Sequence, residues 1–312
     1  MPNVLIISSA NMDFVMPMTA LPARGQTVME SGAYRYVPGG KGANSAVAVA
    51  RLGGHCTFCA KLGRDDNGDA LASLYEHEGI DCQTLCRSDE APTGLAAIMV
   101  ESDGSNRIVV YPGANLTLTE EDVDQAIDTN PDALYLQLEI SHDIVLYAAN
   151  SASARGVPVF IDAGPADKSF LLEQLPPLVL FSPNETEAEI FTSIIPDSEE
   201  ACLTCAKALT ERVRAKYIVL KLGGRGAYLY DTEKQTGKTI TALPVKAIDT
   251  TAAGDAFTAA LTLRYLQAGD MEKAVRYANA VGALTVSRAG ASSSLPTKAE
   301  VEEFLIKKQP QP

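Results

Sequence analysis

The chain has 312 residues, of which 46% are hydrophobic and 21% are charged, and 26 Lys and Arg against 39 Asp and Glu give it a formal net charge of −13. A chain of this length and composition buries a hydrophobic core without help from disulfides or metals. Its acidic balance, with no run of Lys and Arg, argues against nucleic-acid binding, so a local arrangement of residues must hold any anionic ligand.

The N-terminal segment begins with a short apolar run from Val4 to Ile7. No basic residue precedes this run, and it is too short for a signal peptide or a membrane span. We therefore expect a cytoplasmic protein that does not associate with membranes.

Short apolar runs alternate with amphipathic stretches along most of the chain. The runs lie at residues 4–7, 133–137, 157–161, 179–181 and 217–221, and the helical stretches lie near 142–154, 168–174 and 198–214. Strands that alternate with helices at this spacing indicate βαβ units. The pattern predicts an α/β fold with a mainly parallel central sheet flanked by helices.

Two regions break this alternation. Residues 12–38 are too irregular for a helix and contain strand-like pieces, and residues 93–112 contain two strand-like runs joined by a loop with Asp103-Gly104, which favours a tight antiparallel turn. We expect these regions to form a small antiparallel sheet that acts as a lid over a pocket. Its exposed apolar face suits a dimer contact. The Gln-Pro-rich end predicts a disordered tail at 307–312.

The six cysteines occur as three local pairs, 56/59, 82/86 and 202/205, and the C-x2-C spacing of two pairs raises the question of zinc. Cys56 and Cys59 lie in a strand-like run, where residues three apart point to opposite faces. Cys202 and Cys205 share a helical face but have no second ligand pair at a suitable spacing. We expect reduced, buried cysteines and no zinc site.

The first candidate motif is the Gly-Gly-Lys-Gly-Ala-Asn segment at 39–44, which opens a helix of small residues ending at Gly53. The free N–H groups of that helix start would face any ligand placed before it. The motif is neither a Walker A loop, since Gly42 follows Lys41, nor a dinucleotide fingerprint, since Ser45 replaces the third glycine. Taken alone, it is better explained as a tight turn into a close-packed helix.

The second candidate motif is Asp-Thr-Thr-Ala-Ala-Gly-Asp at 249–255. The spacing of the apolar positions after it places Gly254 and Asp255 in the first turn of a helix. The side chains at 252–254 are small enough for a ligand oxygen to reach the backbone N–H groups, which could stabilise charge on a transferring group. Asp255 would then be placed to accept a hydroxyl proton.

Two further segments follow predicted strands. In the segment 184–187, Asn184 and Glu187 form a capping-box pattern, and a helix start alone would explain both residues. Carboxylates and amides at a strand's C-terminal end also suit magnesium. The segment 221–226, Lys-Leu-Gly-Gly-Arg-Gly, is either a hairpin turn or a loop for nucleotide phosphates.

Together, residues 39–44 and 249–255 resemble the two signature motifs of the ribokinase-like carbohydrate kinase family, also called the PfkB family. The similarity extends from Asn11 and Asp13 to Gly290 and Ser294. It implies a single kinase domain over residues 1–312, with a lid from about 12–38 and 93–112 that closes over the sugar and pairs with the lid of a second subunit. The implied reaction transfers the γ-phosphate of ATP to a primary hydroxyl, here the 5-hydroxyl of ribose.

The resemblance also assigns roles to individual residues. Asp255 is the implied catalytic base, and the amides of Ala252, Ala253 and Gly254 are the implied anion hole. The implied sugar ligands are Asn11, Asp13, Gly40, Lys41, Gly42, Asn44, Glu139 and Asp255. The implied nucleotide ligands are Asn184, Lys221, Gly223, Gly224, Arg225, Gly226, Gly254 and Asn279. Glu187 would organise Mg²⁺ through water, and the implied K⁺ positions are Asp249, Thr251, Thr285, Arg288, Gly290 and Ser294.

Three positions depart from the ribokinases of this family. Residues 162–166 read Asp-Ala-Gly-Pro-Ala where close ribokinases carry Asn-Pro-Ala-Pro-Ala, Lys221 replaces a frequent Thr, and Asn279 replaces a common His. The first departure lies near the predicted active-site cleft, so the motifs do not determine which sugar is the substrate. The other two lie on the nucleotide side, so the motifs do not determine which nucleotide is preferred as the phosphate donor.

Several functions therefore stay in competition. A 2-deoxyribokinase shares almost every motif, and a nucleoside kinase would need an apolar platform such as Phe14, Met16 and Met18. A non-catalytic sugar-binding regulator would be expected to lose Asp255 or Gly254, and both are present. The failed dinucleotide fingerprint argues against a nicotinamide oxidoreductase.

Overall fold

The structure is a computed structural model, and it describes residues 1–103 and 105–308. In chain order, the strands are β1 (Asn3–Ile7), β2 (Asn11–Met18), β3 (Arg35–Gly39), β4 (His55–Cys59), β5 (Lys61–Gly63), β6 (Cys86–Ser88), β7 (Gly94–Glu101), β8 (Asn106–Tyr111), β9 (Ala133–Leu136), β10 (Val159–Asp162), β11 (Leu178–Ser182), β12 (Ala215–Lys221), β13 (Ala227–Asp231) and β14 (Thr236–Ile240). The helices are α1 (Lys41–Arg51), α2 (Asp66–His77), α3 (Glu120–Ile127), α4 (His142–Ala154), α5 (Glu185–Thr192), α6 (Glu199–Thr210), α7 (Ala253–Ala268), α8 (Met271–Val286) and α9 (Lys298–Lys308).

The central sheet has eight strands in the order β14-β13-β12-β11-β10-β9-β1-β4. The six strands from β12 to β4 run parallel, and the hairpin β13–β14 adds two antiparallel strands at one edge. The predicted α/β fold with a mainly parallel sheet is confirmed.

Helices cover both faces of this sheet because alternate side chains of each buried strand point in opposite directions. On β1, Val4 and Ile6 pack in the layer that contains α1, α7 and α8. Leu5 and Ile7 pack in the layer that contains α3, α4 and α6. All four side chains are fully buried, which explains why the strand reads as a continuous apolar run.

The lid is a separate four-stranded sheet in the order β3-β2-β7-β8. The pairs β2–β3 and β7–β8 are antiparallel, as predicted, and the middle pair β2–β7 is parallel. This pairing arises because β2 and β7 both run outward from the core, starting from the paired residues Asn11 and Gly94, while β3 and β8 return to it. The predicted Asp103-Gly104 turn includes Gly104, which lies outside the described residues.

Two local predictions differ from the structure. The predicted helix at 168–174 is only a short 3₁₀ turn at Leu172–Gln174, because Pro176 and Pro177 follow and disfavour helical backbone before them. The predicted tail starts too early, since Lys307 and Lys308 end α9, and residues 309–312 lie outside the described residues. Within the described ranges, no helix is long and apolar enough to cross a membrane.

The buried sheet makes a direct stability prediction. Ile6→Ala on β1 removes three buried carbons from a fully buried position and should lower the free energy of unfolding by about 3 kcal/mol. The matched control, Ile306→Ala on α9, changes a side chain that is 69% exposed and should shift it by less than about 0.5 kcal/mol. Equilibrium urea unfolding of both variants measures the difference, and equal losses would contradict this placement of the core.

Candidate active site

Polar residues gather where the parallel strands end. Glu139 follows β9, Asp162 ends β10, Asn184 follows β11 and Lys221 ends β12, all at the carboxyl edge of the sheet. Open α/β sheets bind ligands at this edge. The N-termini of α1 and α7 meet there as well, because Lys41 and Asp255 contact each other.

Asp255 lies in the first turn of α7, and its side chain is only 7% exposed. Asn44 Nδ2 donates a hydrogen bond to Asp255 Oδ2 at 2.9 Å, and Lys41 Nζ lies 3.5 Å from Asp255 Oδ1. The negative charge of Asp255 raises the pKa of Lys41 above its ordinary value, so the lysine stays cationic. Two residues of α1 therefore hold the carboxylate of Asp255 in place.

The predicted anion hole lies in the backbone at the start of α7. Ala252 adopts a left-handed conformation with φ of 61°, which turns the chain into α7. In the first turn, Gly254 and Asp255 have backbone N–H groups without an intrahelical acceptor. Gly254 has no side chain to cover them, and Ala252 is also small, so a ligand oxygen has access to these donors.

The predicted sugar ligands Asn11 and Asp13 on β2 and Glu139 after β9 surround the start of α1. Glu139 Oε2 accepts the backbone N–H of Lys41 at 2.9 Å and also the hydroxyl of Ser9. Buried Asn44 Oδ1 has no hydrogen-bond partner among the described residues. The pocket thus offers fixed carboxylate and amide oxygens of the kind that bind hydroxyl groups.

Asp13 is the carboxyl group of this pocket whose pKa is clearly raised. Burial, and then the negative charges of Glu139 and Asp255, raise the pKa of Asp13 to about 7. The side chain lies over Gly39, where a Cβ atom would fall within 2.4 Å of the Asp13 carboxyl carbon. Asp13 therefore titrates near neutral pH, and only glycine leaves room for it at position 39.

The predicted nucleotide residues line a cavity of about 290 Å³ between the β12–β13 turn, the segment 242–247 and helices α7 and α8. Lys221, Gly223, Gly224, Gly226, Gly254 and Asn279 all contribute to its wall. Asn279 Nδ2 donates to the carbonyl oxygens of Ile240 at 2.9 Å and Thr241 at 3.2 Å, which ties α8 to the end of β14. The segment 221–226 is both a hairpin turn and a cavity wall, so its two interpretations are compatible.

Arg225 differs from the other residues of this turn. Its guanidinium donates to Glu185 Oε1 at 2.7 Å, to Pro196 O at 2.6 Å and to Asp197 O at 2.7 Å. These partners lie on α5 and on the connection to α6, so the side chain fastens the hairpin to that connection. Its predicted contact with the nucleotide stays a prediction.

A second cavity lies between the first one and Asp255, and is lined by Lys41, Asn184, Glu187 and Lys221 among others. The predicted capping box is confirmed: Asn184 Oδ1 accepts from Glu187 N at 2.8 Å, and Glu187 Oε2 accepts from Asn184 N at 2.7 Å. Burial raises the pKa of Glu187, against the opposing charge of Lys221. Both cavities share Lys221 and Gly254, so they lie next to each other.

The predicted potassium positions lie on two loops that Asp249 joins. Its Oδ2 accepts from Gly290 N at 2.9 Å, and its Oδ1 accepts from Thr251 N at 2.9 Å. Burial favours a higher pKa for Asp249, but these hydrogen bonds outweigh it and hold the pKa below its ordinary value. Arg288 N donates to Thr285 O at 3.2 Å, while the Arg288 guanidinium turns to Glu300, 2.7 Å away.

Buried Ser294 completes the predicted potassium set, and its hydroxyl donates to Ala291 O at 2.8 Å. The structure therefore brings Asp249 into direct contact with both Thr251 and Gly290. Thr285, Arg288 and Ser294 follow on α8 and the loop after it.

Sequence reasoning missed several residues that support the site. Asn115 Nδ2 donates to Asn11 Oδ1 at 2.7 Å and orients it, and no local pattern marks Asn115. Thr258 Oγ1 donates to Asp162 Oδ2 at 2.5 Å, and its position three residues after Asp255 on α7 could have indicated a shared face. The apolar cavity wall at 242–247 also carried no motif.

Comparisons with known proteins agree with this geometry. A family model described as pfkB family carbohydrate kinase matches residues 1–298. A ribokinase of Staphylococcus aureus is 35% identical over 304 residues, covering 96% of this chain and 99% of the relative, and a deoxyribokinase of Salmonella typhi is 30% identical, covering 97% and 98%. A solved structure of Arabidopsis thaliana ribokinase complexed with ribose and ATP superposes with a TM-score of 0.88 at 29% identity, covering 97% of this chain and 98% of that one.

The family model spans nearly the whole chain, and the relatives match over almost their full lengths. The two segments singled out by their sequence, 39–44 and 249–255, meet in the structure through the contact between Lys41 and Asp255. The chain therefore belongs to the pfkB family of carbohydrate kinases.

Proposed function

We propose that this kinase transfers the γ-phosphate of ATP to the 5-hydroxyl of D-ribose and produces ribose 5-phosphate and ADP. The observation that carries the proposal is the position of Asp255. The polar pocket of Asp13 and Glu139 lies on one side of it, and the second cavity, lined by Asn184, Glu187 and Lys221 among others, lies on the other. The ribokinase relatives support ribose as the acceptor and ATP as the donor.

The proposal gives each group a chemical task. Asp255 takes the proton of the 5-hydroxyl while that oxygen forms a bond to the γ-phosphorus. The bond from the γ-phosphorus to the bridging oxygen breaks, and ADP leaves with the electron pair. The first-turn N–H groups of α7 stabilise the charge on the transferring group, because they are fixed before the reaction.

The polar pocket favours a sugar with its hydroxyls complete. Asp13, Glu139 and Asn44 Oδ1 are acceptors, and Asn44 Oδ1 has no partner among the described residues, so a sugar without a hydroxyl at that point leaves this buried oxygen unpaired. This supports ribose over 2-deoxyribose, which stays the principal competitor because a deoxyribokinase is among the relatives.

The lid argues against a nucleoside as acceptor. Along β2, Asn11 and Asp13 point to one face, and Phe14 points to the other because side chains of a strand alternate. Phe14 stacks on Tyr36 with ring centroids 5.0 Å apart on that opposite face. The aromatic cluster therefore offers no platform for a base on the side of Asp255.

The residues present fit magnesium. Glu187 and Asn184 supply the hard oxygen ligands that the ion prefers, directly or through water, at the cavity between the nucleotide pocket and Asp255. Bound there, magnesium neutralises phosphate charge during transfer. Glu187 is held ready by its hydrogen bond from Asn184 N.

We extend the proposal to a monovalent cation beside the start of α7, where the carboxylate of Asp249 ties the loop that carries Thr251 to Gly290. A potassium ion there would brace the backbone of the anion hole. The proposal extends to Thr251, Thr285, Arg288, Gly290 and Ser294 as its surroundings.

The exposed face of the lid supports a homodimer. Tyr34, Tyr36, Val109 and Tyr111 are between 45% and 65% exposed, which is unusual for large apolar side chains gathered on one small sheet. A second copy of the lid would cover this surface. Use of ATP and six free cysteines favour a cytoplasmic location.

The acceptor assay tests the proposal. ADP release with magnesium-ATP is measured against ribose, 2-deoxyribose, fructose, adenosine and inosine, each with potassium or with only a large organic cation. We expect the highest turnover on ribose and a loss of about tenfold or more without potassium, because the cation braces the anion hole. Highest turnover on another acceptor would overturn ribose as substrate, and no turnover on any acceptor would favour a sugar-binding regulator.

Asp255→Asn tests the general base. Turnover on the best acceptor should fall by about three decades or more, while ribose and ATP binding persist, because the amide keeps the shape but cannot take the proton. Asp270→Asn, which changes the cap of α8 away from both cavities, is the matched control and should keep turnover. Near-normal turnover of Asp255→Asn, measured by ADP release, would remove the proposed role.

The raised pKa of Asp13 predicts a pH dependence. Below about pH 7 the carboxyl group of Asp13 becomes protonated and loses the strong acceptor capacity of the anion, so kcat/KM for ribose should fall as pH decreases. Initial rates at saturating ATP between about pH 5.5 and 8.5 measure this profile, which reports the enzyme–ATP complex before it binds ribose. Asp13→Asn should remove the inflection near 7, and an unchanged inflection in that variant would assign it elsewhere.

A further inference from the structure

Two of the positions at which the sequence departs from ribokinases are in direct contact. Lys221 Nζ at the end of β12 lies 2.5 Å from Asp162 Oδ2 at the end of β10. The side chains are 11% and 2% exposed, so this ion pair is almost completely shielded from water. Both departures place a charged residue in the same buried site. The two must be explained together, because burying either charge without the other would cost folding free energy.

Asp162 has partners on both carboxylate oxygens. Oδ2 accepts from Lys221 and also from Thr258 Oγ1 on α7 at 2.5 Å. Oδ1 accepts from Gly164 N at 3.2 Å. With these contacts the carboxylate has a fixed orientation, and it directs the ammonium group of Lys221.

The ammonium group of Lys221 has three protons, and the bond to Asp162 uses one of them. Glu187 Oε2 lies 4.0 Å away, beyond hydrogen-bond distance. A Cβ atom built at Gly254 would lie 3.7 Å from Lys221 Nζ, so the ammonium group lies beside the anion hole. Lys221 lines both cavities.

The carboxylates of the site make it negatively charged, so binding of anionic phosphates requires a cationic side chain nearby. The cavity before Asp255 is lined by the carboxylates of Glu185, Glu187 and Asp255, and its described lining residues include two cationic side chains, Lys41 and Lys221. Lys41 lies beside Asp255, on the acceptor side. Lys221 is therefore the cation placed to meet anionic phosphates on the donor side.

We propose that Lys221 binds the terminal phosphates of the donor, and that Asp162 is the positioning residue that aims its ammonium group at them. The identity of the ligand as a nucleoside polyphosphate rests on the proposed function. The pair is neutral overall, but it fixes the ammonium group of Lys221 on the phosphate path, where its remaining protons can meet phosphate oxygens without any bound metal. Thr258 couples this arrangement to the helix that carries Asp255.

The test is nucleotide binding by isothermal titration calorimetry in EDTA, without sugar, for adenosine, AMP, ADP and ATP. The main variant is the double substitution Asp162→Asn with Lys221→Met, since it removes both charges of the ion pair together. Lys216→Met is the matched control on the same strand, where the side chain is 40% exposed and its Nζ lies 3.7 Å from Glu233 Oε2. Thermal unfolding verifies that each variant is folded.

We expect the double variant to bind ADP and ATP about tenfold or more weakly than the parent chain, with adenosine affinity unchanged, because only phosphates meet the ammonium group. Asp162→Asn alone should weaken ADP binding by a smaller factor. Asp162→Asn added to Lys221→Met should weaken it no further, since a positioning residue acts only through the lysine.

The outcomes separate this inference from the proposed function. If the parent chain binds none of the nucleotides and also releases no ADP in the acceptor assay, the kinase proposal itself falls; if it releases ADP but binds none of them in EDTA, the metal-independent role of Lys221 is overturned. If the parent chain binds ADP and the folded double variant binds it equally well, or loses adenosine to the same extent, Lys221 is not a phosphate ligand. Equal losses from Asp162→Asn with and without Lys221 would overturn the positioning role of Asp162.

Discussion

The arrangement of the site follows from one electrostatic constraint: a polyanionic nucleotide must lie beside buried carboxylates in a chain with a net charge of −13. Water cannot screen these charges in a closed cavity, so the protein must supply compensation close by. Lys41 and Lys221 supply two positive charges, and the first turn of α7 supplies backbone N–H groups. These groups come from separate parts of the chain.

The parallel sheet is the reason that they meet. Every strand from β12 to β4 ends at the same edge, so the residues that follow the strands converge without long loops. Close packing then sets the distances. At Gly40, where φ is 91°, a Cβ atom would lie 2.8 Å from the backbone nitrogen of Asn11, so glycine lets the start of α1 rest against the start of β2.

Much of this was predictable from local patterns. The strand and helix periodicity gave the α/β core, and the capping pattern at Asn184 and Glu187 gave the start of α5. Spacing along one helix also placed Asp255 correctly in the first turn of α7. These features depend on neighbours within one turn or one strand, which is the range that a sequence pattern covers.

The remaining features depend on contacts between distant segments. Asp162 and Lys221 meet because β10 and β12 are both neighbours of β11, and that lateral order is not written in either strand. The direction of Arg225 depends on carbonyl groups at Pro196 and Asp197 in another connection. The short turn at Leu172–Gln174 shows the reverse case, in which the following prolines overrule an amphipathic pattern.

Asn11 and Asp13, the proposed sugar ligands, lie on the lid strand β2, so binding of the acceptor is coupled to closure of the lid. A sugar that binds these two residues pulls on the same strand that must cover the reacting atoms. Asn115 anchors Asn11 to the core side of this strand. With Asn11 and Asp13 as the proposed sugar ligands, acceptor affinity and exclusion of water would depend on the same contacts, and a poorly fitting sugar would leave the γ-phosphate exposed to hydrolysis as well as badly aligned.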